Sequence, residues 1–470
     1  MRLWAACQPM TEASFLGKYR AMNATEPARN ASVLLGFRAE NTRSFRDEFE
    51  LSMLATRLAD EDAVRYVTWR EDGHPIGILP VASVFGANAS GKTNVVKAMD
   101  DMRAHVLHSF RAGSPTGGIS RQPYLLEPDG NSKPSRFEVD LVLSGICYEY
   151  GFVIDDESAQ EEWAYHYPHG KAARIFHRHG TEMEFGAAGR AKSRAVAELL
   201  RPNALYLSTA ASANHPALLP LYGWFARNFV LAEENTRQLR QALTTQLLND
   251  DGRRKPVLAL LRAAAMGITS AKTQPLDPIT DERIQKAVRI LAGLEIDADG
   301  TDEGPHLEDL GLRLLHQGAG GDVEFTPQDE SFGTLVWFGL VGSVIEALAQ
   351  GTVLLADELD ASLHPNLVGH LIRLFQSPES NPRRAQLVFN SHDMTILGDS
   401  ARDRLIGRDQ IWFTEKDDDG STRLYALADL EPRKGEAIGH RYLAGRYGAT
   451  PNLSSQEFKA AAKLVRSGQP

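Results

Sequence analysis

Cysteine is nearly absent from this chain. The two present, Cys7 and Cys147, are too few for a disulfide framework or a four-ligand zinc site. They read as reduced thiols of a cytosolic protein. Long apolar runs are missing as well. None approaches the roughly 20 residues that cross a bilayer, although 43% of the residues are hydrophobic. The opening MRLWAACQPM holds one arginine and an apolar stretch too short for a signal-peptide core. No membrane partner is expected. A basic excess is lacking too: the formal net charge is −10. No global field therefore draws nucleic acid, and only a local basic patch would serve. Internal repeats and sustained heptads are also absent, which excludes solenoids and long coiled-coil arms. What remains is an ordinary globular composition, 24% charged over 470 residues, enough for two or three domains.

Periodicity organises that length. Residues 1–30 show little pattern and read as a loose extension. SVLLGFRAENTRSFRDEFELSML alternates like two strands joined by a polar turn at Glu40–Arg43. Residues 31–123 read as the N-terminal part of an α/β core, and 124–191 as a β-rich arm, with FEVDLVL, ICYEYGFVID and ARIFHRHG alternating. Residues 192–317 carry apolar residues at helical spacing and read as a helical insertion. Residues 318–470 return to the core: a long apolar helix after Ser331, a strand, a helix over 366–375, the strand AQLVF and a hairpin. The expected fold class is α/β, a P-loop nucleotide hydrolase core of the ABC/SMC-head kind, split in sequence by the two insertions.

VASVFGANASGKTN carries the chemistry. Gly86, Gly91, Lys92 and Thr93 fit G-x-x-x-x-G-K-[ST], after an apolar strand and before a helix. Backbone N–H groups from Gly86, Ala87, Asn88, Ala89, Ser90, Gly91 and Asn94 would cradle phosphates, and the helix N-terminus adds partial positive charge. Lys92 would reach the β- and γ-phosphates, and the Thr93 hydroxyl would ligate Mg²⁺. The expected ligands are thus ATP and magnesium. A buried strand, VLLA, ends in Asp357 and Glu358, two adjacent charges that resist burial unless a partner wants them. Asp357 is expected to hold the Mg²⁺ shell from a strand adjacent to that of the phosphate loop. Glu358 would polarise a water for attack on the γ-phosphate.

Further segments resemble parts of ABC-type ATPases. DELDASLHP is similar to a hydrolytic glutamate followed by a D-loop, which implies contacts from Asp360 and His364 to a second subunit. NSHD resembles a switch segment, which implies that His392 senses the γ-phosphate. ESFGT resembles a degenerate signature loop, with Ser331, Gly333 and Thr334 opening a helix toward the partner's nucleotide and Phe332 where a polar residue is usual. Gln122, in RQPYLL, stands where a Q-loop glutamine would, and Arg43 in NTRSF stands where a hairpin residue approaches the nucleotide in relatives.

Taken in order with IWFTEKDDDGST and HRYLAGRYGATP, these segments resemble the AAA/ABC-like ATPases of bacterial abortive-infection systems. The AbiL and RloA type is meant, to which the AriA ATPase of PARIS phage-defence systems is similar. The resemblance runs from about Val33 to Pro451. It implies a cytoplasmic homodimer, or an assembly of dimers. It further implies a sensor of phage infection whose ATP state governs a separately encoded effector, an RloB- or Toprim-like nuclease. Glu415, Asp417 and Asp419 could be taken for a built-in nuclease's metal ligands. TEKDDDGST between two strands reads instead as a hairpin turn closed by Asp-Gly. The alternative is a RecF/SMC-like ATP-dependent DNA clamp, in which nucleic acid would be the partner.

Overall fold

The computed structural model describes residues 32–60, 63–69, 75–187, 189–274, 278–293, 295, 305–306, 309–398, 404–451 and 454–467. The expected loose extension over 1–30 lies outside them. In chain order the strands are β1 (Val33–Glu40), β2 (Phe49–Ser52), β3 (Arg65–Val67), β4 (Ile76–Ile78), β5 (Val81–Gly86), β6 (Ser135–Leu143), β7 (Ile146–Ile154), β8 (Ala159–His166), β9 (Ala173–His179), β10 (Glu182–Phe185), β11 (Val230–Ala232), β12 (Ile268–Thr273), β13 (Leu312–Gly318), β14 (Gly321–Phe325), β15 (Val353–Ala356), β16 (Gln386–Asn390), β17 (Ile411–Lys416) and β18 (Thr422–Ala426). The α-helices are α1 (Lys92–His108), α2 (Arg190–Ala197), α3 (Tyr206–Ser212), α4 (Leu219–Arg227), α5 (Arg237–Asn249), α6 (Arg254–Ala263), α7 (Pro278–Leu291), α8 (Phe332–Gln350), α9 (Pro365–Gln376), α10 (Ile438–Leu443) and α11 (Ser455–Ser467).

Short runs that are apolar at every position suit strands covered on both faces. VASVFG, VLLA and QLVFN are such runs, and they become β5, β15 and β16 in one sheet of order β11-β15-β16-β5-β17-β18. Neighbours are parallel from β11 to β17, and β18 returns antiparallel. Successive side chains serve opposite cores. Val81 and Phe85 of β5 join α8 and α9 on one face, while Ala82 and Val84 join α1 and the large antiparallel sheet on the other. That second sheet has the order β10-β9-β8-β7-β6-β1-β2. The fully buried amide of Gln386 ties the two sheets, accepting from Leu34 N at 2.7 Å and donating to Leu34 O at 3.0 Å.

Three expectations need correction. The stretch 192–317 holds helices α3 to α7, but also β11, β12 and most of β13. β11 pairs with β15 and so belongs to the parallel sheet. Three residues are too few to print a strand period against neighbouring helices. Second, β16 lies between β5 and β15, so the Asp357 strand is one strand removed from the phosphate-loop strand. Third, among the described residues one helix, α8 of 19 residues, is long and apolar enough by length and composition to cross a membrane, and most of it is buried. Its composition serves packing against α5. Thr244 Oγ1 donates to Phe338 O at 2.8 Å and lies 3.1 Å from Gly342 N. A Cβ on Gly342 would meet that hydroxyl at 2.5 Å.

Candidate functional site

The phosphate loop begins where β5 ends. A Cβ on Gly86 would stand 2.5 Å from Ser90 Oγ and from the Thr414 carbonyl, so only glycine passes between the loop and β17. Ala89 at φ 60 and Gly91 at φ 102 flank Ser90 in the left-handed region. A Cβ on Gly91 would also meet Thr422 Oγ1 at 2.5 Å. Such a turn collects backbone N–H groups into a concave anion cradle. Ser90 is buried and bonds Thr414 Oγ1 at 2.7 Å, which anchors the loop from beneath. Asn88 and Ala89 are exposed. α1 then starts with neither a side-chain cap nor an acidic first-turn residue. Helix N-termini leave first-turn N–H groups for an external acceptor, and of those here Asn94 N already donates to Gly91 O at 3.0 Å.

Lys92 is buried, and its ammonium donates to Gly86 O at 3.0 Å and Ala87 O at 2.9 Å. Burial pushes its pKa down, and the negative charges of Glu358, Asp357 and Asp360 oppose that shift. The three carboxylates therefore act on the space that the lysine occupies.

Asn390 organises those carboxylates. It is fully buried at the end of β16. Its Nδ2 donates to Asp357 Oδ1 at 2.5 Å, and its Oδ1 accepts from Glu358 N at 2.5 Å. Glu358 sits at φ 50, a sparsely populated conformation for a non-glycine residue, of a kind that recurs at functional sites. It leaves the side chain exposed. His392 is exposed, and its backbone N–H donates to Asp360 Oδ2 at 3.2 Å. Asp360 Oδ1 is buried with no hydrogen-bond partner among the described residues. An acceptor left so has capacity for a further donor or cation. The donor set fits a metal–phosphate ligand: a cationic loop on one side, with the Thr93 hydroxyl at the start of α1, and the Asp357 carboxylate on the other.

The remaining predicted residues fall around this centre. Ser331 caps α8, its Oγ accepting from Thr334 N at 3.1 Å. Gly333 packs on the D-loop of its own chain, since a Cβ there would be 2.7 Å from Ser362 O. Phe332 is exposed, with the Arg237 guanidinium 4.7 Å over its ring. His364 is exposed and caps α9, its Nδ1 accepting from Asn366 N at 3.2 Å. Gln122 is exposed, and its carbonyl accepts from Arg43 N at 2.6 Å. Arg43 lies against α1. Its guanidinium pairs with Asp101 of α1 at 2.6 and 2.7 Å, a bidentate geometry that fixes it against that helix.

Asn390, Thr414, Thr422 and Ser44 were not singled out from the sequence. Asn390 precedes SHD, so its place at a strand end was the one available signal. Thr422 Oγ1 bonds Ser90 O at 3.0 Å and Ser44 Oγ at 2.8 Å. The β17–β18 hairpin and the turn after β1 thus buttress the phosphate loop together. Asp417 pairs with Arg423 at 3.0 Å, Asp419 pairs with Arg46, and Glu415 accepts from Ala449 N at 3.2 Å. Gly420, at φ 82, closes the hairpin turn.

Residues 81–398 match a family described as "AAA domain, putative AbiEii toxin, Type IV TA system". No curated protein matches the chain. Among solved structures, it is similar to an SMC head bound to the C-terminal winged-helix domain of ScpA. The identity is 12% and the TM-score 0.38, over 85% of this chain and 99% of that one. It is similar to the SMC head domain of Thermotoga maritima, at 11% identity and a TM-score of 0.35, over 84% and 98% of the two chains. The corresponding figures for the SMC head with an extended coiled coil, bound to the C-terminal domain of ScpA, from Pyrococcus furiosus are 13%, 0.33, 85% and 98%.

Proposed function

The chain belongs to this family of AAA domains, and from that membership we propose that it is an AAA/ABC-like P-loop ATPase, the ATP-hydrolysing regulator of a bacterial anti-phage, abortive-infection system. One observation supports the nucleotide site in this reading best: the Lys92 ammonium lies on the Gly86 and Ala87 carbonyls of the phosphate loop, while Asn390 and His392 hold Asp357 and Asp360 by hydrogen bonds.

Each residue then has a task. Lys92 leaves the Gly86 and Ala87 carbonyls for the β- and γ-phosphates. Thr93 and Asp357 hold magnesium, which supplies neutralisation of phosphate charge. Glu358 takes a proton from the attacking water, and His392 contacts the γ-phosphate. Ser331, Gly333 and Thr334, at the start of α8, offer N–H groups to the nucleotide of a second copy, while Asp360 and His364 face that copy across the interface. Gln122 approaches from the segment beside the Arg43 turn. The assembly is a cytoplasmic homodimer or a set of dimers. It controls a separately encoded effector, a nuclease of RloB or Toprim kind. ATP state can act on an effector only through contacts that differ between two conformations.

The test compares wild type with Glu358→Gln. The variant should bind ATP and lose turnover by about 10²-fold or more. Phage plating on cells carrying the native locus with its neighbouring genes then reads the biology: wild type should restrict phage and the variant should not. If neither restricts a broad phage panel while the purified protein hydrolyses ATP, the defence role falls. A stable ATP-dependent DNA complex formed without any partner would replace it with a DNA clamp.

A further inference from the structure

The large antiparallel sheet carries a second cluster of ligand-type side chains, away from the phosphate loop in sequence. We propose that Glu161, His177 and His179 bind a divalent transition-metal ion, zinc being the ion their donor set favours.

Strands β8 and β9 are antiparallel, and Glu161 stands directly opposite His179. His177 lies two residues away on β9 and so projects from the same face. One donor atom from each of the three lies within 4.8 Å of the others. Glu161 Oε1 is 2.8 Å from His177 Nε2 and 3.9 Å from His179 Nε2. Tetrahedral zinc with bonds of about 2.0–2.1 Å sets its donors roughly 3.3 Å apart. The two separations bracket that value, so the glutamate lies within about 0.6 Å of ligand spacing from each histidine, and the two histidine donors lie within 4.8 Å of each other. A cross-strand Glu–His pair would use one histidine. The second ring, with its centroid 4.4 Å from the first, is what makes the set a chelate.

Support for the ligands is in place. Tyr165 Oη lies 3.1 Å from His177 Nδ1, the ring nitrogen that a metal at Nε2 would leave over. Metal-bound histidines characteristically have that second nitrogen hydrogen-bonded, which fixes tautomer and ring orientation. The proton balance closes without an outside base. With no metal, His177 Nε2–H donates to Glu161 and Tyr165 donates to Nδ1. With metal at Nε2 the ring proton resides on Nδ1 and the Tyr165 oxygen accepts it. Across β10, Glu182 stands opposite His179 and adds negative charge on the flank, while Glu184, opposite His177, is paired with Arg174. His179 is 63% exposed, which leaves the remaining coordination position to water. Two imidazoles and a carboxylate suit zinc and its first-row neighbours rather than magnesium or calcium. The ion would staple β8 to β9 near the outer edge of the sheet.

The experiment uses the full chain, stripped of metal and carrying no histidine tag. Cobalt is titrated and followed by its visible absorption, and zinc is then added in competition. The expected result is one equivalent bound at micromolar affinity or better, with zinc displacing cobalt. His177→Gln/His179→Gln should weaken binding by at least about 100-fold, and Tyr165→Phe by about 10-fold. Equal ATPase rates and metal-free melting temperatures will establish that the variants fold. His179→Gln alone, on a largely exposed side chain, carries the test if the double variant does not fold, and should lower affinity at least about 10-fold. Wild type that binds no metal below millimolar concentration, or a folded variant that binds as tightly as wild type, overturns the proposal.

Discussion

Asn390 shows how much of the nucleotide site one buried amide can hold. It donates to the Asp357 carboxylate and accepts from the Glu358 backbone, across two strands. Asn390→Leu keeps the volume and removes both bonds. The Asp357 oxygen and the Glu358 N–H then lose a partner, at a cost of about 1–3 kcal/mol. Steady-state ATPase assays should find turnover lowered roughly 10–100-fold, with affinity for a fluorescent ATP analogue changed much less. His108 supplies a second test at this scale. Its Nδ1 is buried without a hydrogen-bond partner among the described residues. Burial, with Arg103 and Arg111 nearby, pushes its pKa down from 6.5 to about 4. The unfolded chain therefore binds this proton more readily, and stability falls as pH drops from about 6.5 toward 4. Urea midpoints at pH 7 and pH 5 should differ less in His108→Gln than in wild type, by on the order of 1 kcal/mol, since the ring is partly exposed.

Among elements, α8 and the β17–β18 hairpin decide most. α8 approaches α5 so closely that Gly342 has no room for a side chain. Gly342→Val should lower the denaturation midpoint by an amount equivalent to about 1–3 kcal/mol, by overpacking against Thr244. The same helix begins with the Ser331 cap beside the D-loop, so its core end and its exposed end share one rigid rod. In the hairpin, Thr422 joins the phosphate loop to the Ser44 turn. Thr422→Val keeps the shape and deletes both bonds. Its KM for ATP should rise several-fold while the melting temperature falls only modestly, because each neutral hydrogen bond contributes about 1 kcal/mol. The elements legible from sequence were those with a long local period. α8, α1 and the buried strands around VASVFG and QLVFN declare themselves through unbroken or regularly spaced apolar residues. β11 and β12 did not, because short strands embedded among helical segments have no periodicity of their own.

For the whole molecule, Gly333 of the predicted signature lies against the D-loop of the same chain, and the proposed role for the signature needs a second copy. Mixing inactive Lys92→Ala with inactive Ser331→Arg tests this directly. In a two-fold dimer, each site draws its loop from one copy and its signature from the other. Random exchange should then restore up to about a quarter of wild-type ATPase activity. No recovery after demonstrated subunit exchange, or a strictly monomeric protein with full activity, would end the dimer reading.

The sequence by itself determined the phosphate loop, the paired carboxylates and the hairpin closed at Gly420. Each is a contiguous stretch with a local signature: glycine at 91 and 420, where φ is positive, and an apolar run where a strand is covered twice. Tertiary structure decided what distant segments do to one another. It set β16 between β5 and β15, drew β11 out of a helical region into the central sheet, and gave Arg43 to Asp101. It also made Asn390 the link between Asp357 and Glu358. These outcomes depend on sheet order and on hydrogen bonds between residues far apart in the chain. A pattern confined to neighbouring positions does not encode them.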